Sequence, residues 1–125
     1  MRHTLSFILF ILTLSIGSSA LAGGVSRASF TIGVEDREPV LMVDTISAES
    51  YNSISFFTEL SDLEGKTITH QWMYDGKVMF EKSFDVRGAR WRVWTSKTLL
   101  PSWTGTWTVN VLDEDRTVLE SKTFE

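Results

Sequence analysis

The sequence predicts an all-β chain: an immunoglobulin-like antiparallel β-sandwich of about seven strands. Three observations predict it. From Ser26 onward apolar and polar residues alternate, with no sustained helical stripe. Turn signals interrupt the alternation at short intervals, as between the strands of a sandwich. Aromatic residues make up 12% of the chain, and two facing sheets need wide side chains to fill the ~10 Å between them.

The elements follow in order. Ala28, Phe30, Ile32 and Val34 form one face of a first strand. Glu35 to Ser50 fits the pattern poorly; it holds either an extra edge strand at Val40 to Val43 or an ordered loop, and Pro39 excludes a central strand. Ile54, Phe56, Thr58 and Leu60 share a face of the second strand, with Phe57 opposite. Ile68, His70, Trp72 and Tyr74 share a face of the third, which ends at Asp75-Gly76, a pair that accepts the positive φ of a two-residue hairpin turn. A fourth strand runs through Val78, Phe80, Phe84 and Val86, where Lys82 breaks the pattern and marks a bulge or an edge. Arg87-Gly88 is a turn, and Arg90 to Lys97 is the fifth strand. After a loop at Pro101 to Gly105, Trp107, Val109 and Val111 line the sixth. Asp113 to Arg116 turns into the seventh, Thr117 to Phe124. Trp72 and Trp107 are expected in the core.

Residues before this pattern read as an address. Arg2 precedes an almost wholly apolar run from Leu5 to Ile16, followed by Gly17-Ser18-Ser19 and the small-x-small pattern Ala20-Leu21-Ala22. That order predicts a secretory signal peptide at 1–22, cleaved before Gly23. The apolar run is too short for a membrane span, which needs about 20 residues. One domain over 23–125 is expected, periplasmic or secreted, with no membrane span after cleavage. A length of 125 residues leaves no room for two ordinary cores.

Composition removes several function classes. There is no cysteine, so disulfides, thiolate metal sites and cysteine nucleophiles are excluded. The net charge of −4 argues against a nucleic-acid partner. Beyond the signal segment His70 is the only histidine, which excludes clustered-histidine zinc sites, and no Gly-rich phosphate loop exists. His70 shares its strand face with Ile68 and Trp72, so it reads as a buried structural histidine rather than a catalytic base. No cofactor and no catalytic residue are expected.

Charge distribution is more informative than its total. Residues 86–112 hold no acid but contain Arg87, Arg90, Arg92 and Lys97, together with Trp91, Trp94, Trp103 and Trp107. If Trp91 and Val93 face the core, Arg90, Arg92 and Trp94 face outward. Arginine beside an exposed tryptophan can stack on a ring and pair with a carboxylate or phosphate. Arg90, Arg92, Trp94, Lys97 and Trp103 are therefore the candidate ligand-binding residues, for an envelope protein or glycan. The competing account has Arg90 and Arg92 covering Trp94 and pairing with Glu81 or Asp85 on a neighbouring strand. A second candidate gathers Asp62, Glu64, Asp113, Glu114 and Asp115 from the loops 61–65, 87–89 and 113–116 at one end of the sandwich. These are oxygen ligands of the kind calcium takes, although no EF-hand spacing is present. No bound metal is expected; that set is the alternative.

The runs Thr69-His70-Gln71-Trp72, Arg90-Trp91-Arg92-Val93-Trp94-Thr95-Ser96-Lys97 and Leu100-Pro101-Ser102-Trp103-Thr104-Gly105-Thr106-Trp107-Thr108-Val109 resemble a bacterial family of exported or membrane-tethered domains of unknown function, DUF2914. Glu35-Asp36-Arg37-Glu38-Pro39 and Phe56-Phe57-Thr58-Glu59-Leu60 are similar to its earlier motifs, so the resemblance spans nearly the whole of 23–125. Arg116 stands where the family's Asp-x-Asp-Gly turn has glycine. The resemblance implies no enzyme activity and no assigned site. The expected function is a non-enzymatic interaction module outside the cytoplasm. A purely structural accessory domain is the alternative, and an enzyme, a hydrolase, comes third.

Overall fold

The computed structural model of the chain describes residues 23–47, 51–100 and 102–125. The predicted signal peptide lies outside them. Among the described residues there are eight strands and no helix: β1 (Gly24–Glu35), β2 (Glu38–Val43), β3 (Ser53–Ser61), β4 (Thr67–Tyr74), β5 (Lys77–Asp85), β6 (Arg90–Thr98), β7 (Trp107–Leu112) and β8 (Val118–Phe124). They form two antiparallel four-stranded sheets, ordered β2-β1-β3-β6 and β5-β4-β7-β8.

Inward residues of both sheets meet in one core. Phe30, Ile54, Phe56 and Leu60 from the first sheet pack with Ile68, Trp72, Trp107, Val109, Val111 and Phe124 from the second. Several core rings meet edge-on, Trp72 against Trp107 at 6.5 Å and Phe30 against Phe124 at 4.6 Å. Such contacts favour the ring quadrupoles and add to plain area burial. The alternation read from the sequence therefore selects the core.

One element takes the edge-strand alternative, and one departs from the expected pattern. The poorly patterned stretch supplies an eighth strand, β2, at the edge of its sheet with Pro39 near its start. Val78 and Phe80 are exposed rather than inward. An extra residue, Met79, separates the pairs Trp72↔Phe80 and Met73↔Val78, and it is Met79 that packs against the core. This bulge shifts the alternation, and β5 is an edge strand, which accounts for Lys82.

The hairpin β1–β2 positions the site. Its turn, Asp36-Arg37, has φ of 51° and 61°, positive at both central residues as a type I′ turn requires. Glu38 pairs in register with Glu35, eight residues beyond Arg27 along β1. A straight strand would place Arg27 and Glu35 about 26 Å apart. Yet the Arg27 guanidinium donates to both Glu38 carboxylate oxygens, at 2.9 and 2.8 Å. The hairpin therefore bends back and lays its tip over the outer face of its own sheet. The bend falls near buried Thr31, whose hydroxyl lies among the carbonyls of Gly33, Val40 and Leu41. Leu41, with φ of 53°, turns its peptide toward that hydroxyl.

Candidate functional site: the outer face of the β3–β6 ribbon

Strand β6 pairs with β3 so that Arg92 lies opposite Glu59, Trp94 opposite Phe57 and Ser96 opposite Ser55. Trp91 and Val93 turn toward the core, and period two then sends Arg90, Arg92 and Trp94 outward as expected. Arg27 from β1 lies across from Glu59 on the same face.

These residues form one ion-pair cluster. Arg90 donates to Glu59 Oε1 at 3.0 Å, and Arg27 reaches the same oxygen at 2.6 Å. Arg92 donates to Glu38 Oε2 at 2.5 Å, the oxygen that Arg27 also holds. The guanidinium of Arg27, followed by that of Arg92, holds the Glu38 carboxyl down at about 2. Arg90, followed by Arg27, does the same for Glu59. In turn Glu38 and Glu59 push Arg27 further up. Three guanidinium groups face two carboxylates, so the cluster carries one excess positive charge.

Accessibility divides the candidate residues. Arg92 is 23% exposed in its side chain and locked under Glu38, whereas the Arg90 side chain is 60% exposed. Trp94 is 38% exposed. Phe57, on the same outer face, is fully buried. Arg27 sits over its ring at 5.1 Å, and Pro39 and Met42 of the folded-back hairpin line a recess of about 400 Å³ with it. Lys97 and Trp103 belong to a separate feature. The Lys97 ammonium sits over the Trp103 ring at 4.9 Å, and Trp103 packs edge-on against Trp107 at 5.8 Å.

The expected acid partners are corrected. Arg90 and Arg92 pair with Glu59 and Glu38, not with Glu81 or Asp85, because β5 lies in the opposite sheet. Glu81 instead takes both ends of Arg116, at 3.2 and 2.9 Å, and Asp85 lies 3.9 Å from Arg87. Arg116 takes the left-handed conformation, φ of 66°, which favours glycine. Sequence reasoning did not select Arg27, Glu38 or Glu59 as site residues, although Glu38 and Glu59 stand in the motifs at 35–39 and 56–60. The available signal was that Glu59 stands two positions from Phe57, on the same strand face.

The acidic loops do come together: Asp62, Asp113, Glu114 and Asp115 line a recess of about 440 Å³ with Lys66 and Gly23. Among the described residues, however, no group of three or more such side chains is arranged to hold a metal. Asp113 Oδ1 accepts from the backbone of Asp115 and Thr117, and Glu114 accepts from the backbone of Thr67. Asp113 thus caps its own turn, and Glu114 ties that turn to the start of β4.

His70 is fully buried. Its Nε2 meets the Thr58 hydroxyl at 3.0 Å and its Nδ1 the Thr95 hydroxyl at 2.9 Å. Trp72 Nε1 also donates to the Thr95 oxygen, at 2.9 Å. The indole donates to Thr95, and the neutral imidazole donates through one ring nitrogen and accepts through the other, so each threonine hydroxyl engages it. Burial pushes the imidazole down to about 3, so it stays neutral. With both nitrogens engaged and no exposure, it cannot reach a substrate.

Comparison with known proteins agrees with this architecture. The structure is similar to the crystal structure of an immunoglobulin-like protein from Pseudomonas aeruginosa, with a TM-score of 0.59 and 18% identity, covering 82% of this chain and 94% of the other. At that identity the likeness is one of fold. No curated protein matches the chain. The family model described as protein of unknown function (DUF2914) matches residues 65–125. The earlier motifs at 35–39 and 56–60 lie outside that match, while the tryptophan–arginine run of β6 and the Trp103–Trp107 segment lie within it. Over residues 65–125 the chain thus resembles the DUF2914 family, carried on an immunoglobulin-like sandwich.

Proposed function

We propose that this is a non-enzymatic interaction module, periplasmic or secreted, that binds an envelope protein or glycan through the outer face of β6. The observation that carries the reading is Trp94. A large aromatic ring is left 38% exposed on a sheet face, beside a guanidinium cluster with excess positive charge and the largely exposed side chain of Arg90. An indole face offers stacking to a sugar or an aromatic side chain, and a guanidinium offers paired donors to a carboxylate or phosphate. The buried, neutral His70 supports the non-enzymatic part. The basic, apolar, small-residue order of 1–22 supports export.

The test is an NMR titration of the isotope-labelled protein with solubilised envelope fractions. The Trp94 indole signal should move or broaden while those of the buried Trp72 and Trp107 hold. Perturbation confined to other surfaces, or none at all, contradicts the reading.

A second reading has its own observation. Arg27, Arg90 and Arg92 each already bond Glu38 or Glu59, as a purely structural accessory domain would have them. That reading expects substitution on this face to lower the melting temperature without altering any binding.

A further inference from the structure

The β1–β2 hairpin occupies the cluster as a ligand would. Glu38 places both carboxylate oxygens on Arg27 and one of them on Arg92. Behind Glu38, Pro39 and Met42 lie beside the buried ring of Phe57. Acid first and apolar residue next is thus the pattern this face already accepts. The Glu38 side chain is 45% exposed, so a competing anion has access to the same guanidinium groups. Within the folded-back segment Leu41 also sits at positive φ, an unfavourable conformation for a residue with a side chain.

We infer that Glu38 is an internal stand-in for a partner's carboxylate. An extended acidic peptide segment, with an apolar residue following its acid, displaces Glu38 from Arg27 and Arg92 and takes the Phe57 recess. This inference rests on the proposed binding role of the outer face and names the partner's chemistry. Charge complementarity selects the occupant: three guanidinium groups against two carboxylates, one of which is carried on the edge strand β2. A strand-like peptide suits the recess because a strand-like segment, β2, fills its rim.

The experiment uses a labelled peptide of residues 37–44 as probe, its polarisation read on the purified protein and on its Glu38→Gln variant. Removing the internal carboxylate should tighten peptide binding at least tenfold, and Glu38→Gln in the peptide should abolish that gain. Equal affinity for protein and variant, or equal binding of both peptides, overturns the inference. So does a gain for polygalacturonate with none for the peptide, which would make the ligand an acidic glycan. A wild-type dimer with exchanged hairpins, seen by sedimentation, would make it a second copy and also overturns it. Should the variant not fold, hydrogen exchange on the unsubstituted protein reads the same latch. Hairpin amides 33–43 should exchange faster at high salt while those of β4 and β7 hold, and uniform behaviour overturns the inference. If Arg90→Ala/Trp94→Ala loses partner capture but the peptide effect is missing, the latch fails and the binding face stands. If capture is unchanged, the binding face itself fails.

Discussion

The His70 imidazole and the Thr95 hydroxyl meet at 2.9 Å across the space between the two sheets. His70 belongs to β4 and Thr95 to β6, so the contact joins sheets that share no ladder at that point. Thr58 takes the other ring nitrogen and Trp72 completes the chain. Among the described residues no buried side-chain nitrogen or oxygen lacks a partner. A satisfied polar chain of this kind fixes the relative placement of the sheets, whereas a broken one leaves a costly orphan.

A pH dependence follows from His70. Its imidazole sits near 6.5 when unfolded and is held down at about 3 by burial. Below 6.5 the unfolded chain takes a proton that the folded one refuses, so the contribution is complete above 6.5 and is lost progressively toward 3. The slope is at most about 1.4 kcal/mol per pH unit. Urea unfolding midpoints measured from pH 7 to 4 should fall for the unsubstituted protein, and the part of that fall due to His70 should be absent in His70→Gln.

Acid should also weaken the outer cluster, in a lower window. Glu38 and Glu59 are held at about 2 against 4.5 when unfolded. Their contribution is complete above 4.5 and is lost as pH falls toward 2. The Glu38→Gln/Glu59→Gln variant should melt only a few degrees lower at pH 7, since exposed pairs are worth little. That difference should shrink by pH 2. A gap that widens with acid would contradict the assigned pairing.

Trp107 offers a direct check of the core. It is 1% exposed and packs with Trp72, Tyr74, Trp103 and Phe124. Trp107→Ala should cost about 3–5 kcal/mol in denaturant unfolding. A cost below ~1 kcal/mol, typical of surface positions, would place the residue elsewhere.

Calcium should leave the fold untouched. Asp113 and Glu114 spend their oxygens on the backbone of their own turn and of Thr67. Adding calcium or EDTA should move the melting temperature by less than about a degree, because a ligand of the native state shifts it by mass action. A shift of several degrees would mean that the acids bind an ion.

Period two made the core readable. Trp72, Trp107, Val109 and Val111 were selected by alternation alone, as were the outward positions of Arg90, Arg92 and Trp94. Asp75-Gly76 marked its hairpin by turn chemistry, with φ of 53° and 75°. What alternation does not carry is which strand lies beside which. Glu81 and Asp85 are near β6 in sequence, yet the chain changes sheets between β5 and β6. The true partners lie far away in sequence, Glu59 31 positions from Arg90 and Glu38 54 positions from Arg92. Glu38 reaches it only because the hairpin bends back at Thr31. That bend rests on one hydroxyl among three carbonyls, a contact with no sequence period.

The exposed face of β6 carries the proposed function, and its loss is measurable. The Arg90→Ala/Trp94→Ala variant and the unsubstituted protein are compared for partner recovery from envelope extract and for melting temperature. The account predicts that capture is lost in the variant, that wild-type capture weakens as salt screens the guanidinium attraction, and that the two proteins melt within a few degrees of each other. A variant that melts early and recovers the same partners would contradict it.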